Sequence, residues 1–135
     1  MSKRMTKSEL LEMSSLGALK PVGYAVLAFK DETVAGEARK SLLDAGFADE
    51  DLLGLSSADL FPNLDDMMRT ASSAAGFGYE VVLMRRYMTL ASEGVSWLVV
   101  HCSDDRQTGR VKDVAARLEA RSAVHYGHLM HEDLV

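Results

Sequence analysis

Cysteine and proline are scarce in this sequence. A single cysteine, Cys102, cannot close a disulfide within the chain, so the fold has to rest on a buried core, as expected of a reducing cytoplasm. Pro21 and Pro62 are the two prolines, and neither falls inside an apolar run. No window reaches the roughly 18 consecutive apolar residues of a membrane helix. The amino end, Lys3-Arg4 and Lys7 ahead of Ser8-Glu9-Leu10-Leu11, lacks the apolar stretch of a signal peptide, about seven to fifteen residues long. Positive charge is also short, with 15 Lys and Arg against 20 Asp and Glu and a net charge of −5. Phosphate backbones and anionic lipid reward the opposite balance. The expectation is a soluble, cytoplasmic protein with neither a nucleic acid nor a membrane as partner.

What the chain does have is an internal echo. Gly23 to Ser57 and Val95 to Met130 each read as an apolar strand, an acidic helix start, an amphipathic helix and a second short strand. In the first unit Tyr24 to Phe29 precedes Asp31-Glu32 and a helix that Gly46 should stop. In the second, Trp97 to Cys102 precedes Asp104-Asp105 and a helix ending near Arg121. Two such units predict an α+β, ferredoxin-like sandwich with one four-stranded antiparallel sheet and helices on one face. The first and third strands are apolar on both sides and belong in the centre. The strand after Asp51 is short, contains Gly54 and belongs at an edge. The last strand, 123–130, completes the sheet. Residues 1–20 form an arm or short helix, and 21–135 a single domain.

Between the units, 61–93 is helical in pattern and interrupted by Ala74-Ala75-Gly76-Phe77-Gly78. Two glycines in three residues weaken a helix by about 2 kcal/mol relative to alanine, enough for a break. A helical hairpin inserted between strands 2 and 3 is preferred, with one kinked helix as the alternative. Its second half carries two apolar stripes, Val82, Leu83, Tyr87 and Leu90, and nearly opposite them Val81, Met84, Met88 and Ala91. Because one sheet face covers one stripe, the second stripe is the expected homodimer interface.

Candidate chemistry is sparse. Arg69, Arg85 and Arg86 are suited to a small anionic ligand through guanidinium forks. His125, His128 and His131 form the metal-like cluster, with His125 and His131 on a shared strand face. Cys102 is expected to be buried and inert, with the adjacent His101 on the opposite face of the strand. The Gly76-Phe77-Gly78 spacing lacks the strand and the Lys-Ser or Lys-Thr pair of a phosphate loop. No catalytic constellation is found, and no cofactor is expected.

The opening Gly23-Tyr24-Ala25-Val26-Leu27-Ala28-Phe29, with Asp31-Glu32, Gly46-Phe47 and Glu50-Asp51-Leu52, resembles the small bacterial general-stress or heat-induced stress domains over about thirty residues. That resemblance implies the fold and a bacterial stress context, and no activity. The expected function is a non-enzymatic, homo-oligomeric stress-related or regulatory module. The alternatives are a sensor holding an anion or metabolite between sheet and insert, and a His-dependent metalloprotein or enzyme.

Overall fold

A computed structural model describes residues 5–15, 21–66, 69, 78–127 and 131–135. Five strands form one antiparallel sheet: β1 (Tyr24–Phe29), β2 (Leu52–Ser56), β3 (Ser96–His101), β4 (Ser122–Tyr126) and β5 (His131–Asp133), in the order β2-β3-β1-β4-β5. The helices are α1 (Lys7–Ser15), α2 (Glu32–Asp44), α3 (Ser57–Leu60), α4 (Gly78–Ser92) and α5 (Asp105–Arg117). A 3-10 turn, Asp49–Asp51, leads into β2.

The two units repeat down to their caps. Asp31 and Asp104 hold nearly identical extended backbone angles, and each side chain accepts an amide N–H three residues on, from Val34 at 3.0 Å and from Gln107 at 2.9 Å. Each thereby satisfies one of the helix's open donors. Both helices also end alike. Gly46 (φ 104) is followed by a Phe47 N–H bond to the Leu42 carbonyl, and Glu119 (φ 55) by an Ala120 N–H bond to the Ala115 carbonyl. These are six-to-one closures in which the residue after the helix turns left-handed.

Alternation along the strands builds two cores. Ala25, Leu27, Phe29, Leu98 and Val100 face α2 and α5, where they meet Ala38, Leu42, Val111 and Val114. Tyr24, Val26, Ala28, Trp97 and Val99 face the other way and meet Leu10, Leu60, Leu83 and Tyr87 from α1, α3 and α4. The expectation of helices on one face is therefore corrected. β1 and β3 are apolar on both sides, and the insert helix α4 covers the side that α2 and α5 leave open.

The carboxyl end also differs from expectation. The single strand expected over 123–130 is two strands, β4 and β5, paired in register Tyr126 to His131, His125 to Glu132 and Val124 to Asp133. Leu134 then buries its side chain in the α2–α5 core. The sheet has five strands instead of four, and β4 lies inside it. Of the helical insert expected over 61–93, helix is seen at 64–66 and in α4, which starts at Gly78, the last residue of the expected break; 74–77 lie outside the described residues.

Candidate functional site

Polar groups inside the α4-side core are bonded to one another. Asp51 and His101 are both buried, with His101 Nδ1 3.6 Å from Asp51 Oδ1, and the carboxylate also accepts the Ala48 N–H at 3.1 Å. Tyr24 stacks edge-on against His101 at 5.0 Å between ring centres, and its hydroxyl accepts the Met5 N–H. Tyr87 and Tyr126 share a hydroxyl-hydroxyl hydrogen bond of 2.8 Å. Burial first, and then the neighbouring Tyr126, push the Tyr87 phenol far above its ordinary value, so it stays neutral. Trp97 donates to Ser57 Oγ at 2.9 Å, and Ser57 donates to the Val95 carbonyl at 2.6 Å. Such closed networks fix packing.

The residues singled out from sequence are dispersed. Arg69 pairs with Asp66, and Arg86 pairs with Asp133 on β5 at 3.0 Å. Arg85 is half-buried on α4 and has an interaction of its own. His125 is half-buried, and burial lowers its pKa against the opposing pull of Glu132. Because His125 pairs with Glu132 while position 131 pairs with Tyr126, positions 125 and 131 fall on opposite faces and not on a shared one. His128 lies outside the described residues. Among the described residues no group of three His, Cys, Asp or Glu is placed to hold a metal ion.

Met88 and Ala91 are 2% and 6% exposed within the single chain, and Met84 is partly buried against the α4-side core. The side chain of Val81 is not among those described. Cys102 lies in the core opposite the one Tyr24 belongs to; burial pushes its thiol up to about 11, and Sγ sits 3.7 Å from the Val100 carbonyl. That thiol is protonated at neutral pH and a poor nucleophile.

Comparison with protein-family models, curated proteins and solved structures gives no match.

A concavity lies elsewhere among the described residues, between α2 and the β2–β3 end of the sheet. It has a volume of about 370 Å³. Gly36 on α2 and Gly54 on β2 border it, Leu98 is among its walls, and a Cβ on either glycine would meet nothing within 4 Å. Glu32, Ser56 and Asp59 line it from the end of α2 and β2 nearest α3, and Arg39, paired with Asp49, lines it two turns further along α2. Sequence reading passed over these residues. The available signal was a glycine inside a helix and another inside a strand, each a position where a side chain has been given up.

The strand beside this cleft is open. β2 pairs with β3 on one side, and among the described residues no strand pairs with its other side. Its residues, Leu-Leu-Gly-Leu-Ser, carry no charge, whereas β5 at the opposite edge is three residues long and reads His-Glu-Asp. Short, charged edges resist further pairing; β2 is longer and its own residues are uncharged. The Leu52 N–H is taken by the Asp49 carbonyl and the Ser56 N–H by Asp59, at 3.3 Å. Both amides therefore point away from β3, and by the alternation of an antiparallel ladder so do the N–H and C=O of exposed Gly54.

Among the described residues no helix is long and apolar enough to cross a membrane.

Proposed function

We propose that this chain is a non-enzymatic binding module whose working surface is the cleft between α2 and β2. The observation that carries the reading is the pair of glycines lining one cleft beside an uncharged sheet edge. Among the described residues, Asp51 with His101, Tyr87 with Tyr126 and Trp97 with Ser57 are engaged with one another in the interior. The order β2-β3-β1-β4 supports reading the sheet as a ferredoxin-like core, with α4 as an added layer on the face such cores leave bare. The likeness of residues 23–52 to bacterial general-stress domains supports a role in a stress response. A homodimer remains part of the proposal, with its contact sought away from Met88 and Ala91.

The rim favours a cation over the anion first considered, since Glu32 and Asp59 are carboxylates and Arg39 is already matched by Asp49. The test is an amide chemical-shift titration of labelled protein with benzylamine and butylamine, and with phosphate and citrate as anionic controls. Saturable shifts of Gly36, Gly54 and Ser56 with the amines, lost in Gly36→Leu, are expected. Shifts centred on Arg69, Arg85 and Arg86 with the anions would transfer the site to the insert and refute this reading.

A further inference from the structure

We propose that the cleft takes an extended, cationic peptide segment, which adds to the outer side of β2 as a further strand. The proposal rests on the reading of this cleft as the working surface and names its occupant. Peptides that join a sheet edge gain affinity from main-chain bonds and selectivity from pockets for alternate side chains. Both requirements are met here at a single residue. Gly54 presents an outward N–H and C=O, while the amides two residues to either side are occupied by Asp49 and Asp59. One peptide residue can exchange both hydrogen bonds with Gly54, as in the close pair of an antiparallel ladder.

The side chain of that peptide residue falls on the same face as the missing Gly54 side chain. It enters the space left by Gly54 and Gly36, beside half-buried Ala35. A branched apolar group such as valine fits this position by chemistry and size. Two residues along, about 6.8 Å away, the next side chain on that face lies opposite Ser56, beside Glu32 and Asp59. A lysine or arginine there meets two carboxylates. For an antiparallel segment the motif reads basic, any residue, apolar. A second copy of this chain is the poorer occupant: a two-fold pairing of β2 with itself would set Glu32 and Asp59 of one copy toward Asp49 and Glu50 of the other, and the chain already carries a net charge of −5.

The experiment uses the full chain and two blocked hexapeptides, Thr-Lys-Thr-Val-Thr-Thr and the same sequence with glutamate in place of lysine. Amide shifts are followed for the wild type, Gly36→Leu and Glu32→Lys. The lysine peptide should perturb Gly54, Leu55 and Gly36 and bind about tenfold more tightly than the glutamate peptide, with the difference shrinking as salt screens the rim. Gly36→Leu, whose Cβ has open space, should keep the fold and lose the peptide; Glu32→Lys should narrow or reverse the preference. Equal binding of the two peptides, or line broadening of β2 that grows with protein concentration in their absence, overturns the proposal, the latter in favour of a second copy. If the peptides do nothing while the small amines still shift Gly36 and Gly54, the peptide is wrong and the cleft stands. If neither probe moves those amides, both fall.

Discussion

Truncating Met88 separates burial within the chain from burial against a second subunit. The side chain is 2% exposed in one chain, between buried Tyr87 and Ala91 on α4. Replacing a buried methionine with alanine removes its transfer energy and leaves a cavity, together costing about 2–5 kcal/mol. Met84, one turn earlier, is only partly buried, and the same change there should cost about 1 kcal/mol, in proportion to the apolar area it covers. With a total stability of about 5–15 kcal/mol, a loss of about 3 kcal/mol leaves the domain folded in the absence of urea. Urea unfolding at two protein concentrations, alongside light scattering on a sizing column, reads both quantities. Met88→Ala is expected to lower stability by about 3 kcal/mol, by the same amount at both concentrations, with the mass in solution unchanged. A stability loss that vanishes on dilution, together with a fall in mass, would show that a partner covers Met88 and would refute its assignment to the interior of one chain.

Two further outcomes follow from the caps and the thiol. Glu119 holds a left-handed backbone where the first unit has Gly46; relief of about 1–2 kcal/mol of steric cost, less about 0.5–1 kcal/mol of added unfolded-chain freedom, should make Glu119→Gly more stable by about 0.5–1 kcal/mol, while Gly46→Ala should destabilise. Urea midpoints check this, and a destabilised Glu119→Gly would contradict the cap. For Cys102 the folded thiol is raised from 9.0 to about 11, so its contribution to stability is complete below pH 9 and is lost as pH rises through about 11. The alkaline decline should flatten in Cys102→Ala, and a thiol reagent should label the native protein slowly at pH 8 and rapidly in urea; rapid native labelling would place the thiol at the surface.

The central strands, the acidic helix starts and the Gly46 stop are legible in the sequence because each depends on residues within one turn or one pleat of one another. The second apolar stripe of α4 was legible too, but its partner was not. Both faces of β1 and β3 are apolar, so the sheet itself required a second helical layer, and from the second stripe Ala91 joins that layer, Met84 packs against it and Met88 is buried within the chain. β5 escaped notice for a different reason. His131-Glu132-Asp133 has no apolar alternation, and such a strand exists through its pairing with β4, which is tertiary context and not propensity.

The cleft shows most sharply what a linear reading lacks. Gly36 and Gly109 occupy the same place in the two units, each five residues beyond its capping aspartate, and a Cβ at either would find open space. Each costs its helix about 1 kcal/mol relative to alanine, and nothing in the sequence ranks one above the other. The fold does, because β2 follows α2 at a sheet edge and brings Gly54 opposite Gly36, whereas the strand after α5 lies inside the sheet between β1 and β5. The same edge position leaves the Gly54 amide and carbonyl facing outward. Glu32, which by itself reads as a favourable charge in the first turn of a helix, becomes part of an acidic rim only when Asp59 is folded beside it. Equivalent positions in the two units thus acquire different surroundings from the place of their strands in the sheet.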